Sequence, residues 1–321
     1  VYPAQNLQVS QVAPEALQIS FQPPPGTADG FLIVRREGGS PSAPKDRVVY
    51  AAGDSFGGQT VVYFGTDTLF TDTGLQPETR YFYEVYVWNG QGESVNYLQS
   101  AFASGDFLLP ALEPRVRASN LAITGRQADR ASFAWQNGDG AARLAVAAQD
   151  TTPGTPADRQ SYLASPQFAL GDTVSGGSYT VFDGTGGSLD LTGLQPETTY
   201  QLAIYEYNGS VQTTNYLGGT DSGNLLAFTT LATVPLATTL EYSIQQLTAT
   251  SVGLAFSATA PLPNGYLVVR RTGGTAAQPL NGTAYSPGEA LGEGTVIQAS
   301  AQTAFLDEGL QPASTWFYDL Y

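Results

Sequence analysis

Carboxylates are the side chains of this sequence with the greatest scope for catalysis or cation binding. They are scattered through turns, and none falls into the Asp-x-Asp-x-Asp-Gly pattern of a calcium loop. The glycine-rich segment from Asp183 to Asp190 could wrap a Ca²⁺ ion with help from backbone carbonyls, and the alternative is a solvated glycine turn. A glycosidase needs two opposed carboxylates in a cleft, which the sequence does not indicate. We therefore predict no catalytic residue, no metal site and no cofactor site.

Composition removes most other chemistry. The 321 residues include no His and no Cys, which excludes the commonest general base and all thiolate chemistry. Serine nucleophiles lack a His partner, and this includes Ser55 in the one Gly-x-Ser-x-Gly match, at residues 53–57. The net charge of −15 argues against nucleic acid and anionic membranes as partners. No apolar stretch approaches the roughly 20 residues that span a bilayer, so we expect no membrane insertion. Because the usual catalytic residues are missing, we also expect a non-enzyme.

A tetrapeptide repeat divides the chain. Gly-Leu-Gln-Pro occurs at residues 74–77, 193–196 and 309–312, and similar residues follow each copy. A long fixed period predicts one module built three times. We place the modules at residues 1–109, 110–231 and 232–321. The joints between them are short and contain proline, which limits bending and predicts an extended, semi-rigid rod.

Apolar residues alternate with period two within each module. In residues 16–21, Leu17, Ile19 and Phe21 share one side, and aromatic or β-branched runs at residues 81–88 and 266–271 behave likewise. Glycine and proline clusters separate these runs. The pattern predicts an all-β chain of three tandem immunoglobulin-like antiparallel β-sandwiches.

The segment Leu-x-Pro-x-Thr-x-Tyr predicts a structural corner in each sandwich. The leucine seals the core, the proline shapes the turn, and the tyrosine hydroxyl bonds back to the preceding backbone. An indole donates but cannot accept a hydrogen bond, so Trp316 predicts a differently closed third corner. Ligand binding by these aromatics is the alternative, although buried tyrosines bonded to backbone are the usual outcome. The predicted corner residues are Leu75, Pro77, Tyr81, Leu194, Pro196, Tyr200, Leu310, Pro312 and Trp316.

Two further recurrences lie in loops. A Tyr-x5-Phe/Leu pair in a long excursion after the third strand predicts a local hydrophobic plug, with ligand binding as the alternative. Asn-Gly followed by Asn-Tyr-Leu predicts the hairpin joining the sixth and seventh strands. The pairs are Tyr50/Phe56, Tyr162/Phe168 and Tyr285/Leu291, and the hairpin motifs start at Asn89 and Asn208.

These motifs carry a resemblance to the fibronectin type III superfamily across all three modules. More narrowly, the chain resembles repeats of large secreted and cell-surface proteins of the Bacteroidota phylum. The residues that carry the resemblance are Tyr50, Phe56-Gly57, Val61-Val-Tyr63, residues 74–81, residues 86–90 and Asn96-Tyr97. The resemblance implies export, and repeats that act as stalks, adhesive arrays or spacers beside catalytic domains.

The same resemblance implies O-glycosylation at Asp-Ser/Thr followed by an aliphatic residue or Thr. The matching residues are Thr68, Thr151 and Thr173, although Asp and Thr are frequent enough for chance matches. Surface glycans would add bulk and solubility.

The third module is expected to be incomplete. Tyr321 aligns inside the sixth strand, so the last strand has no counterpart in this sequence. Either the native protein continues, or a neighbouring chain donates the strand. Val1 is not a translation start, which implies a removed signal peptide or an excerpt.

Together these features predict a non-enzymatic extracellular structural or adhesive region of a stalk, adhesin or filament, at the cell surface or secreted. The alternative is a spacer or carbohydrate-binding region of a secreted polysaccharide-degrading enzyme. Expected partners are copies of itself, other surface proteins and glycans.

Overall fold

A computed structural model describes residues 2–236, 241–257 and 262–321. In these residues the regular structure is β-strand, with three single-turn 3₁₀ helices as the exceptions. The chain divides into two compact units. The larger contains most of the first two modules, and the smaller contains the third module with residues 126–130 and 194–198. Each described sheet is built from strands of one module.

The first module pairs its strands into two antiparallel sheets. The smaller sheet has the order β1-β2-β6, and the larger has the order β4-β5-β3-β7-β8 with β9 also paired to β7. The strands are β1 (Gln5–Ala13), β2 (Ala16–Gln22), β3 (Gly30–Glu37), β4 (Ser55–Phe56), β5 (Gln59–Gly65), β6 (Leu69–Thr73), β7 (Arg80–Asn89), β8 (Asn96–Tyr97) and β9 (Ala103–Leu108).

The larger sheet of the first module is covered on both faces. Phe31 and Ile33 of β3 pack into the core between the sheets, together with Leu17 and Ile19 of β2. Their neighbours on β3 point the other way, into a second apolar cluster outside the sheet. This explains why β3 is a continuous apolar run whereas β2 alternates, because only a strand buried on both faces loses the period-two pattern.

The second module repeats this plan, and the described residues of the third contain counterparts of β1 to β7. The strands of the second are β10 (Ser119–Arg126), β11 (Arg130–Gln136), β12 (Ala142–Gln149), β13 (Thr173–Val174), β14 (Ser178–Gly184), β15 (Ser188–Thr192), β16 (Thr199–Asn208), β17 (Asn215–Tyr216) and β18 (Leu225–Thr229). Those of the third are β19 (Tyr242–Leu247), β20 (Ser251–Phe256), β21 (Tyr266–Arg271), β22 (Ala290–Leu291), β23 (Gly294–Ser300), β24 (Ala304–Glu308) and β25 (Phe317–Leu320). The small sheets are β10-β11-β15 and β19-β20-β24, and the large ones are β13-β14-β12-β16-β17 with β18 on β16, and β22-β23-β21-β25.

The hairpin motif forms a seventh strand in two pieces. The Asn89-Gly90 turn leads through a 3₁₀ turn into β8, which pairs with the end of β7. The chain then leaves the sheet and returns as β9, which pairs with the beginning of β7. The second module is built in the same way. In the second module, the 3₁₀ turn and the short β17 stand at the end of the sandwich that receives the linker from the first module.

Candidate functional site

The corner of the first module contains a tyrosine bonded to the backbone. Leu75 and Tyr81 are buried, and the Tyr81 hydroxyl accepts a hydrogen bond from the Gln76 N–H at 2.8 Å. The Thr79 hydroxyl donates to the Pro77 carbonyl at 3.1 Å. The bond between Gln76 and Tyr81 ties the turn to the start of β7 and fixes the direction in which the chain enters the large sheet.

Two left-handed residues explain the repeated Gly-Leu-Gln-Pro-Glu. The glycine has φ of 71° at Gly74 and 75° at Gly193, a region that glycine enters without steric cost. The glutamate after the proline also has positive φ, 58° at Glu78 and 51° at Glu197. Each glutamate N–H donates to a carbonyl of the segment that leaves its module, Pro110 at 3.3 Å or Leu231 at 3.2 Å. The corner is therefore connected to the joint.

The remaining predicted corner residues occupy the equivalent positions. Leu194, Tyr200 and Leu310 are buried, and Pro196 is half-buried. Trp316 is different, because its buried indole N–H has no hydrogen-bond partner among the described residues. The Arg270 guanidinium lies 4.9 Å from the Trp316 ring centroid. The corresponding distance from Arg35 to Tyr81 is 5.4 Å. Pro312 lies in the exposed part of the third turn.

The long excursion covers the outer face of the large sheet. The rings of Tyr50 and Phe56 stack with centroids 4.5 Å apart, and Tyr50 belongs to the outer apolar cluster. The hydroxyl of Tyr50 accepts from the Lys45 N–H at 3.1 Å. The same bond recurs at Tyr162 and Tyr285, each accepting from the N–H five residues earlier, at 3.0 and 3.1 Å. These tyrosines hold the excursion onto the sheet, as the structural interpretation predicts.

The predicted Tyr162/Phe168 pair is wrong. The excursion of the second module is longer, and Phe168 donates its N–H to the Thr192 carbonyl at 2.9 Å. This pairing turns the Phe168 ring towards Tyr200, with centroids 5.0 Å apart. Val174 of β13 takes the place that Phe56 of β4 has in the first module, and it packs in the cluster of Tyr162. In the third module Tyr285 and Leu291 do share one cluster.

A polar triad around a buried carboxylate joins the two sheets in the first and third modules. Arg35 of β3 donates to both carboxylate oxygens of Asp72 on β6 at 2.9 Å, and the Tyr83 hydroxyl donates to the same carboxylate at 2.8 Å. In the third module Arg270 and Tyr318 donate to the Asp307 carboxylate, each at 2.8 Å. Burial and the nearby carboxylate raise the pKa of Tyr83 far above its usual value, so it remains a donor.

The second module replaces the triad with apolar residues. Ala147, Leu191 and Leu202 occupy the positions of Arg35, Asp72 and Tyr83, and all three are fully buried. A different ion pair appears deeper in the large sheet. Arg143 on β12 binds both oxygens of Glu206 on β16 at 3.1 Å. Two further bonds reach the Thr185 and Gly140 carbonyls, so all three nitrogens of the buried guanidinium are hydrogen-bonded.

The carboxylates considered for calcium point to different partners. Asp183 accepts from the Tyr207 hydroxyl at 2.6 Å, and Asp190 accepts from the Ser132 hydroxyl at 2.6 Å. Within residues 2–236, 241–257 and 262–321, no three acidic side chains form a group that could hold a metal ion. The candidate glycosylation residues are accessible to different extents. Thr151 and Thr173 are exposed, and Thr68 is half-buried.

The joint between the first two modules is held from both sides. Leu109, Pro110 and Ala111 are buried although they belong to a linker. The Ala111 N–H donates to the Thr213 carbonyl at 2.8 Å, and the Asn215 amide donates to the Ala111 carbonyl at 2.8 Å. This linker therefore has the hydrogen-bonding environment of a strand rather than of a flexible tether.

Four residues of the second module contact the joint, and we call them the linker clamp. They are Arg159, Asn208, Thr213 and Asn215. The Arg159 guanidinium donates to the Leu108 carbonyl at 3.0 Å and lies 4.6 Å from the Phe107 ring centroid. The Asn208 amide donates to the Leu112 carbonyl at 2.8 Å.

The linker clamp also reaches the corner of the first module. The Thr213 hydroxyl lies 3.0 Å from a Glu78 carboxylate oxygen, within hydrogen-bonding distance. Glu78 in turn donates its N–H to the Pro110 carbonyl. The two recurrent motifs, corner and Asn-Gly hairpin, thus meet at the joint, which the sequence alone did not indicate.

The third module contains an apolar cleft of about 640 Å³. It lies between β19 and β25, and its walls include Ile244, Phe256, Phe305 and Trp316. In the first module the corresponding space is closed by β9, which packs against β1. Among the described residues of the third module, no strand pairs with β25 on the side that faces away from β21.

These sheets define an all-β protein of tandem immunoglobulin-like sandwiches. The family model of the fibronectin type III domain matches residues 2–102. Similar solved structures include the crystal structure of chicken CNTN1 FN1-FN3 domains, at 11% identity and a TM-score of 0.32, covering 99% of this chain and 92% of that one. A two-domain fibronectin type III segment from chicken tenascin has 14% identity and a TM-score of 0.32, covering 67% and 99%. The central fibronectin-III array of RIM-binding protein has 12% identity and a TM-score of 0.23, covering 83% of each chain.

In the part of the chain that the structure describes, no helix has the length and apolar character needed to cross a membrane.

Proposed function

We propose that this chain is a non-enzymatic extracellular structural or adhesive repeat region, part of a surface stalk, adhesin or filament. The observation that carries the proposal is the joint at residues 108–114. Buried linker residues with backbone hydrogen bonds to the next module restrict bending, whereas a polar unbonded linker would allow it. A chain of such joints holds its modules at fixed spacing.

Several finer points belong to this proposal and rest on motif resemblance. They are the location at the cell surface or in the medium, the origin in the Bacteroidota, glycosylation at Thr68, Thr151 and Thr173, and an extended rod. Copies of the chain or other surface proteins are the proposed partners. Weak contacts repeated along such an array would add up through avidity.

Spin-label distances across the joint test the proposal. The chain has no Cys, so Thr71→Cys and Ser188→Cys introduce one exposed label in each of the first two modules. We expect a narrow distance distribution, because the linker is bonded on both sides. Arg159→Ala with Asn215→Ala should broaden it. Arg36→Ala removes an arginine whose guanidinium donates to the Ser40 carbonyl within the first module, and it should leave the distribution unchanged.

A broad distribution in the parent chain would contradict the proposal. So would a narrow one that the double substitution leaves unaltered, because the linker clamp would then not fix the joint.

One aromatic pair of the first module lacks the coplanar, exposed arrangement that would favour the carbohydrate-binding alternative. The rings of Phe64 and Trp88 are parallel within 3° at 4.7 Å, so they cover each other's faces. Retention of the chain on one defined polysaccharide, with no self-association, would favour that alternative over the stalk.

A further inference from the structure

The first module carries its own copy of the linker clamp. The equivalent residues are Arg47, Asn89, Ser94 and Asn96. The backbone establishes the equivalence, because the Arg47 N–H donates to the Val95 carbonyl at 2.8 Å and the Arg159 N–H donates to the Thr214 carbonyl at 2.8 Å. Asn89 and Asn208 end β7 and β16, and Asn96 and Asn215 begin β8 and β17. Three of the four residue types are identical, and the fourth is Ser for Thr.

This second clamp contacts no linker among the described residues. Ser94 and Asn96 are exposed, whereas Thr213 and Asn215 are half-buried beneath the linker. The Asn89 side-chain oxygen accepts from the Asp29 N–H at 2.9 Å, just as Asn208 accepts from Ala141 at 2.8 Å. Its amide nitrogen is therefore oriented for the contact that Asn208 makes with the linker.

The backbone of Arg47 strengthens the argument. Arg47 and Arg159 have φ of 65° and 62°, in the left-handed region that is unfavourable for a non-glycine residue. The third module has Gly282 at this turn, with φ of 78°, so the turn itself needs no arginine. Arg159 offsets the cost through its contacts with Phe107 and Leu108. Arg47 has no such side-chain contact in the described residues, so its guanidinium is available to an occupant of the clamp.

We propose that the free clamp of the first module is a docking surface for the C-terminal end of another module of this kind, joined ahead of it. This inference rests on the proposed function. The occupant would supply an aromatic ring and its neighbouring carbonyl to Arg47, and linker backbone groups to Asn89, Ser94 and Asn96. Val48 and Val49, which follow Arg47 and are exposed, would add apolar contact area.

A four-module chain tests the docking surface. Residues 2–114 are duplicated and fused directly ahead of Val1, which reproduces the register of the native joint because Ala4 and Asn6 correspond to Ala118 and Asn120. Spin labels at the positions equivalent to Thr71 and Ser188 span the new joint: Thr71→Cys in the added copy and Leu69→Cys in the original first module. We expect a distribution as narrow as that of the native joint. Arg47→Ala with Asn96→Ala in the original first module should at least double its width.

The outcomes separate the inference from the proposed function. A broad distribution at the new joint, or one that is indifferent to the double substitution, overturns the inference while a narrow native joint leaves the proposed function standing. A broad native joint removes the proposed function itself. A further outcome is that the 321-residue chain forms dimers at high concentration and that Arg47→Ala abolishes them. That result would assign the surface to a second copy of the chain and overturn the inference that a module joined ahead occupies it. Arg36→Ala serves as the control throughout.

Discussion

The modules differ in whether charged or apolar side chains occupy the same positions between the two sheets. One sandwich plan accepts the Arg35–Asp72–Tyr83 triad in the first module and three aliphatic residues in the second. A buried ion pair is costly to desolvate, and well-packed apolar residues can replace it without loss. Removal of one partner is different, because it leaves the other charge uncompensated.

The triad predicts a larger loss of stability for a single substitution than for a triple one. Asp72→Ala should destabilise the first module by roughly 3 kcal/mol, because Arg35 and Tyr83 lose their common acceptor. The triple variant Arg35→Ala, Asp72→Leu and Tyr83→Leu installs the residues of the second module and should cost less than the single one. Each module contains one Trp, so urea unfolding in a Trp135→Phe, Trp316→Phe background reports on Trp88 and the first module. A triple variant less stable than Asp72→Ala would contradict the prediction.

Glu84 gives the first module a pH dependence of its own. Burial raises the pKa of this carboxyl above 4.5, and the hydrogen bond from Tyr86 opposes the shift in part. The folded state therefore holds the proton more tightly than the unfolded state, and the contribution of Glu84 to the free energy of unfolding falls as pH rises above about 4.5. Glu84→Gln should stabilise the module at pH 7 and weaken this slope. Urea unfolding between pH 4.5 and 7 checks it, with exposed Glu37→Gln as the control. Equal slopes in parent and variant would refute it.

At the scale of the elements, the corner makes a direct prediction. Tyr81→Phe removes the acceptor of the Gln76 N–H and leaves a donor in a partly buried turn. The expected cost is about 1–2 kcal/mol for the first module. The same Trp88 fluorescence measurement applies, and Tyr2→Phe, which alters an exposed ring, should change nothing. If both variants unfold at the parent's urea concentration, the hydroxyl has no role in closing the corner.

The strands, the alternating core face and the excursion tyrosines could be predicted because each depends on local period or on a repeated short motif. The Phe168 position could not, since a longer excursion preserves Tyr-x5-Phe while moving its second member to another face. The triad was also missed. Its residues lie on three separate strands, and their contact depends on register that no short window of sequence contains. One feature of the sequence could have revealed the triad. The spacing of Arg35, Asp72 and Tyr83 is the same as that of Arg270, Asp307 and Tyr318.

For the whole chain, net charge predicts a response to salt. At −15 the compact state repels itself, and added ions screen that repulsion. The unfolding temperature at pH 7 should therefore rise as NaCl increases from about 0.02 to about 0.5 M. We expect a rise of a few degrees, which corresponds to a gain of about 1 kcal/mol in the free energy of unfolding. Calorimetry measures this, and the rise should shrink near pH 4.2, where the sequence is close to neutral. A fall in the unfolding temperature with salt at pH 7 would show that attractive ion pairs outweigh the repulsion.

Linkers between modules are usually where proteases cut, because cleavage requires several residues to leave the surface and extend through an active site. The segment from Leu109 to Ala111 cannot do so without breaking its bonds to Thr213 and Asn215 and exposing buried apolar side chains. The same contacts that fix the modules therefore make the joint a poor substrate. In a medium rich in digestive enzymes, a long multi-module chain built this way would persist, and its first cuts would fall in exposed loops that leave the array connected.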